Sequence, residues 1–473
     1  MVFSSPIFLF LFLPLTLAGF FVVPRALRTP FLVLMSLGFY AWGEKQIVLV
    51  LLFSIVANWL LALVVERSQR ASTRTALLVV AVALNIGALL YFKYFNFIVG
   101  NLNQLLHDLG RRQIKVAPVH LPIGVSFVTF EALSFVIDVY RRVARAPRNP
   151  LHVAFYVSFF PHLIAGPILR FRDIADAVAR PRVTSDGFQS GVARFIVGLG
   201  KKMLLANPLG AMVDKVFALQ PAQLGCATAW AGIVAYALQI YFDFSGYTDM
   251  AIGLGRMFGF SLPENFRLPY AAQSIKDFWR RWHMSLSTWF RDYLFVPLGG
   301  SRVGTARTYR NLLIVFFLCG LWHGASWTFV IWGLFHGAFL VLERTAFGRW
   351  LDTAPRPLRH GYTLLIVLVG WVFFRAETIQ QAAAYLRAMG GATSAHSTDL
   401  VGYLSIRVRL AFVLATLGAT LPLARWRDRI APHRGVAQLG WHLSGAVIGL
   451  AVLALTMSFV ASETYNPFIY FRF

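Results

Sequence analysis

The sequence predicts an all-α polytopic membrane protein, and three observations carry that prediction. Hydrophobic residues fill 58% of the 473 positions and charged residues only 14%, against roughly 25% charged in an ordinary soluble domain. The apolar residues fall in long runs without the period-2 alternation of a barrel strand. An open sheet is excluded because its edge groups find no hydrogen-bond partner in lipid. Arg-rich segments punctuate the runs, so the net charge of +24 reads as cytoplasmic loops and anionic lipid rather than as a nucleic-acid surface. The same hydrophobicity excludes disorder, and two cysteines exclude a disulfide scaffold.

Taken in order, residues 6–24 form a charge-free run closed by Arg25 and Arg28. They lack a basic n-region and the next run follows at once, so they read as a first span rather than a signal peptide. Further runs cover 31–42, 47–65 and 75–92, then 151–169, 228–242, 312–342, 362–374, 410–423 and 442–461. A crossing needs ~20 residues for a ~30 Å core, and the set predicts roughly ten or eleven spanning helices with further helices partly in or on the membrane. The Arg segments at 25–28 and 67–74 flank two spans, which places the N-terminus outside and these segments in the cytoplasm. Residues 262–310 are too polar to span and too aromatic to float free, and short re-entrant or interfacial helices fit them. No linker or repeat divides the chain, which reads as a single membrane domain, with N-terminal helices at 1–120 and C-terminal helices at 346–473.

Candidate chemistry concentrates in a few places. The run 312–342 holds 31 residues without Asp, Glu, Lys or Arg. As one helix it would be about 46 Å long, so it must tilt, protrude or break. Gly320 and Gly324 flank His323 and favour a break there. An imidazole inside the bilayer is a functional candidate by default, the alternative being a core histidine that bridges helices. His336 lies in the same run and reads as a packing or second functional group, and Ser326 as a supporting polar group. His283 follows Phe-Trp-Arg-Arg-Trp. Around it Lys276, Arg280, Arg281 and Arg291 have the composition of a phosphate-binding surface, and Trp279, Trp282 and Trp289 offer stacking faces. An interfacial anchor explains the same residues. Asp243, Ser245, Tyr247 and Asp249 form a polar patch after an apolar helix, where carboxylates need cations, and Arg256 or an Arg of the 276–291 cluster is expected to supply them. Glu131 and Asp138 raise the same requirement. Pro161 and Pro167 around His162 imply a broken helix lining a cavity. Cys226 and Cys319, in apolar runs without metal spacing, read as inert buried thiols. Gly198-Leu-Gly-Lys201 lacks the rest of a phosphate loop, and Gly253, Gly255 and Gly259 read as helix-packing glycines.

Several motifs in order resemble the membrane-bound O-acyltransferase (MBOAT) family, and within it the bacterial alginate O-acetyltransferase branch. They are Leu121-Pro-Ile-Gly-Val-Ser-Phe, Ile137-Asp-Val-Tyr-Arg, Pro161-His-Leu-Ile-Ala-Gly-Pro, Asp243-Phe-Ser-Gly-Tyr-Thr-Asp-Met-Ala, Asn265-Phe, Asp277-Phe-Trp-Arg-Arg-Trp-His-Met-Ser-Leu-Ser and Leu321-Trp-His-Gly-Ala-Ser-Trp. The resemblance implies a ring of tilted helices around a central cavity open to the cytoplasm, with 121–345 as the catalytic core. It maps the family's essential histidine onto His323 and its second site onto His283. The implied enzyme is a multi-pass acetyltransferase of the bacterial inner membrane. It would use acetyl-CoA as donor, with no bound cofactor or metal, and work with periplasmic or membrane-anchored partners toward an exported polysaccharide. His323 would act as general base, and His283 would orient the thioester or stabilise the oxyanion. Lys276, Arg280, Arg281, Trp279 and Trp282 would hold the donor. The ending Asn-Pro-Phe-Ile-Tyr-Phe-Arg-Phe resembles that of small partner proteins in a related D-alanylation system, which makes Tyr470 an acyl-relay candidate or an aromatic interfacial anchor. Cellulose, peptidoglycan or teichoic acid as acceptor keeps the same chemistry. A channel or transporter with His323 in a proton path is the reading from another class.

Overall fold

The computed structural model describes residues 1–179, 181–392, 400–421 and 436–462. Every regular element among the described residues is a helix. Four of these are long and apolar enough to cross a membrane: Arg25–Arg67, Ala71–Asp108, Arg356–Arg375 and Leu443–Ser462. A fifth arises if Trp327–Leu342 and Ala346–Thr353, which meet at 76°, are one broken span. Other apolar runs give shorter or more polar helices. The 151–169 run divides into Pro150–Ser158 and Phe160–Leu163, where Pro161 has no N–H to continue the ladder. The 410–423 run lies in Ile406–Thr420, of 15 residues. The 228–242 run continues straight through the polar patch in the 32-residue helix Cys226–Met257.

The chain forms two compact units: Met1–Gly191 with Ala251–Pro263, and Val192–Met250 with Glu264–Phe473. In the first unit Phe3, Phe8, Phe39 and Phe160 are fully buried and Phe12 nearly so. Phe12 lies 5.4 Å from Phe39 and 5.3 Å from Phe160, ring centre to ring centre. Polar groups in this unit find one another. Asn85 Nδ2 donates to Asn58 Oδ1 at 2.7 Å and Asn58 Nδ2 donates back at 3.3 Å, which joins two apolar helices, Val48–Arg67 and Ala71–Leu89. Glu131, buried on Val125–Tyr140, meets His162 Nδ1 at 3.0 Å. This supplies the partner that a lipid-depth carboxylate requires.

In the second unit two glycine contacts set the geometry. A Cβ on Gly198 would collide with the Gly246 carbonyl, and one on Gly246 with the Gly198 carbonyl, so these two helices cross backbone to backbone. The crossing brings the lysines that follow Gly200 onto the polar patch. Lys202 pairs with Asp243 and Lys201 with Asp249, each at 2.6 Å. Arg194 bridges Asp249 and Glu264, also at 2.6 Å. This segment therefore supplies cations to the patch, a source the sequence reading does not name beside Arg256 and the 276–291 cluster. The reason is that small residues permit the close helix approach. The lysines lie in a π-helical stretch, Lys201–Ala206.

The second glycine contact closes a hairpin. Thr305–His323 ends at Gly324 (φ −165°, ψ 149°), the chain runs extended through Ser326, and Trp327–Leu342 folds back. A side chain on Gly320 would strike the Phe329 carbonyl, and one on Gly333 the Phe316 carbonyl. The 312–342 run thus breaks where its length required. Its tip at His323 lies about 18 Å along the first helix from Asn311, close to half of a ~30 Å core.

Candidate active site

The site lies within the second unit. It begins with Asn265 and His283, eighteen residues apart in sequence. The chain around them pairs in extended fashion: Arg267 N donates to the Arg281 carbonyl at 2.9 Å and Met284 N to the Asn265 carbonyl at 3.0 Å. His283 then precedes the short helix Met284–Phe290 in a left-handed conformation, φ 45° and ψ 55°. A non-glycine residue there costs on the order of 1–3 kcal/mol, which the surrounding contacts must offset. The result is a fully buried imidazole. Its Nδ1 lies 3.3 Å from Asn265 Oδ1, which also accepts from Ser285 N at 3.1 Å and Ser285 Oγ at 3.0 Å.

His323 is buried at the hairpin tip, and its ring centre is 6.3 Å from that of His283. Trp322, Trp332 and Phe374 stand edge-on around it at 4.9, 5.0 and 5.2 Å. Trp322 also touches His283 at 5.9 Å, and Phe244 does so at 4.7 Å. The fold therefore brings together the two imidazoles that the sequence singled out. His336 is buried one layer away, packed on Trp279 and Trp332, each at 5.3 Å.

A cavity of about 550 Å³ is lined by Met284, which follows His283, and by Cys319 and Trp279, while the imidazoles themselves are not among its lining residues. Its floor is apolar, from Phe316, Cys319 and Leu312 of the hairpin, and Cys319 sits one helical turn before His323. Trp279 forms part of the wall and touches Trp332, the ring against His323, at 5.7 Å. The rim is cationic: Lys276, Arg280, Arg291 and Arg344 all line the cavity and are exposed. Arg291 is paired with Asp292 at 2.7 Å. The rim's carboxylate, Glu343, is already engaged, because it accepts from Ile275 N at 2.6 Å and Lys276 N at 3.0 Å. This clamp holds the Ile275–Trp279 turn against the hairpin. The arrangement suits an amphiphilic ligand with an anionic end and an apolar or thioester end.

Other candidates lie behind this surface. Arg281 pairs with Asp277 at 2.8 Å and Trp282 packs 5.7 Å from Phe278, so both support the Trp279 segment from the side away from the cavity lining. Asp243 and Ser245 flank Phe244 and are buried, with Asp243 engaged by Lys202. Ser326 Oγ lies 2.8 Å from Thr328 Oγ1 at the hairpin turn. Tyr470 lies outside the described residues. Cys319 is buried, as expected, whereas Cys226 is exposed because it opens its helix. Sequence reasoning gave no site role to Asn265, Glu343 or Arg344. A carboxylate directly followed by a cation at the end of a 31-residue uncharged run was the available signal for the last two.

The profile of the MBOAT, membrane-bound O-acyltransferase family, matches residues 34–379. A protein of Azotobacter vinelandii named "Probable alginate O-acetylase AlgI" is 42% identical over 506 residues, covering all of both chains. One of the same name from Pseudomonas aeruginosa is 46% identical over 396 residues, covering 82% of this chain and 75% of its own. A "Peptidoglycan O-acetyltransferase" of Helicobacter pylori is 35% identical over 426 residues, covering 83% and 80%.

Proposed function

The chain belongs to the membrane-bound O-acyltransferase family and is an O-acyltransferase of the membrane, and from that premise we propose that it O-acetylates an exported polysaccharide, alginate. In this reading it is a multi-pass protein of the bacterial inner membrane, its roughly ten or eleven tilted helices surrounding a central passage. Acetyl-CoA delivers acetyl from the cytoplasm. Periplasmic or membrane-anchored partners carry the group onward, and Tyr470 serves as the relay.

The observation that carries the reading is the pair of buried imidazoles 6.3 Å apart, one residue from Met284 and one helical turn from Cys319 of an apolar cavity with a cationic rim. Lys276 and Arg280, with Arg291 and Arg344, receive the donor's phosphates, and Trp279 guides the thioester toward the rings. Arg281 and Trp282 brace that wall. His323 takes the proton of the attacking hydroxyl. The new C–O bond forms as the C–S bond breaks, and the departing thiolate recovers the proton from the imidazolium. His283 acts on the same reacting group from the facing side. Asp243, Ser245, Ser326 and His336 hold these elements in place. Such base catalysis contributes roughly 10²–10⁴-fold.

Two relatives above 40% identity carry alginate names and support that acceptor, and the Helicobacter pylori name supports peptidoglycan as the second choice. The deciding experiment incubates purified protein and its partners with radiolabelled acetyl-CoA and each polymer. Labelled polymer is expected, and His323→Ala should lower transfer roughly 10²–10⁴-fold while melting in detergent is unchanged. Undiminished turnover in that variant removes His323 from the chemistry. Proton flux without acyl transfer in the wild type favours the transporter reading instead.

A further inference from the structure

Asn265 does something to His283 that burial alone does not. The backbone N–H of Ser285 can only donate, so the amide atom facing it at 3.1 Å is the oxygen, and this fixes the orientation of the carboxamide. That oxygen only accepts. The imidazole nitrogen 3.3 Å from it must therefore carry the hydrogen, which places the proton on Nδ1. In the neutral ring Nε2 is then a bare lone pair. His283 Nε2 is buried and has no hydrogen-bond partner among the described residues, and the same holds for Asn265 Nδ2. The left-handed backbone of His283 and the double grip of Ser285 on the amide oxygen both serve this one contact.

We propose that Asn265 is a positioning residue that locks His283 in the Nδ1–H tautomer, so that Nε2 presents a bare lone pair to the reacting groups beside His323. This rests on the acyl-transfer reading and narrows it. With Nδ1–H engaged by the amide, the neutral ring has no second N–H for an oxyanion, and its open valence suits a hydrogen-bond donor. Among the described residues, the titratable group in ring contact with His283 is His323; Asn265, Ser285, Phe244 and Trp322 are uncharged neighbours of the ring.

The test has two readouts. In protein labelled with ¹⁵N-histidine, long-range proton–nitrogen spectra report the tautomer, and the His283 signal is the one missing from His283→Gln. The Nδ1–H form is expected in the wild type and a mixture or the Nε2–H form in Asn265→Ala. Kinetically, Asn265→Ala should lower the rate of acetyl transfer roughly 10²-fold with little change in KM. Asn265→Asp keeps the acceptor but stabilises the imidazolium. It should retain more activity than the alanine variant, with the acidic limb of its pH–rate profile moved toward higher pH. An Nε2–H ring in the wild type overturns the proposal, as does Asn265→Ala with the wild-type rate and profile. A correct tautomer in a protein that transfers no acetyl overturns the acyl-transfer reading instead, which separates the two failures.

Discussion

The two buried histidine sites of this molecule are built on opposite plans. In the first unit, His162 Nδ1 faces the Glu131 carboxylate at 3.0 Å, both fully enclosed, so that the buried ring meets a group of opposite charge. In the second, His283 meets only a neutral amide and keeps Nε2 open, with His323 and aromatic rings around it. Burial is the same; the difference lies in the charge of the partner. A buried imidazole closed by a carboxylate completes a charge pair and acts as a strut, whereas one held by a neutral amide is oriented without a countercharge.

The largest expected consequence falls on the closed site. Glu131→Leu leaves His162 without its partner and should cost about 3–5 kcal/mol, read as a large drop in melting temperature in detergent. The double variant Glu131→Leu with His162→Leu should recover most of it, because well-packed apolar replacements of a buried pair are often neutral. Turnover per folded molecule should stay near that of the wild type; a collapse of turnover with melting unchanged would make the closed site catalytic and end the contrast. Next comes the cavity rim. Arg280→Ala should raise the donor KM roughly tenfold with kcat nearly unchanged, since an exposed cation adds charge-assisted hydrogen bonds moderated by solvent. An unchanged KM would mean that the donor's phosphates bind elsewhere. The smallest effect belongs to Asn58→Leu, which removes a reciprocal amide pair between two apolar helices and should cost on the order of 0.6–2 kcal/mol of stability, with kinetics unaltered.

Much of this plan is legible in one dimension. Composition and run length are enough to give helices in a membrane, and the arithmetic of an over-long uncharged run demands the break found at Gly324. His283 and His323 stand out because ionisable residues are rare at such depth. The cationic rim is half legible, since Lys276, Arg280 and Arg291 cluster in sequence while Arg344 joins them only through the fold. The partners of the polar patch were not readable. Lys202 reaches Asp243 from forty-one positions away, and the crossing that permits it depends on two glycines whose pairing no local pattern announces. Asn265 escaped for the same reason, because its meaning comes from a strand-like pairing across eighteen residues. Long-range polar pairing is set by packing geometry, which periodicity does not encode.

The folded-back hairpin has a consequence for economy in the cell. Its tip holds His323 only 3% exposed, sealed by rings on the hairpin itself and on the Arg356–Arg375 helix. Under the proposed acyl transfer, an activated acyl group brought there would meet little bulk solvent, so that idle hydrolysis would be suppressed until the proper alcohol arrives. The seam that keeps the two arms tight, Gly320 against Gly333, would then guard against leakage of the group as well as fixing the shape of the turn.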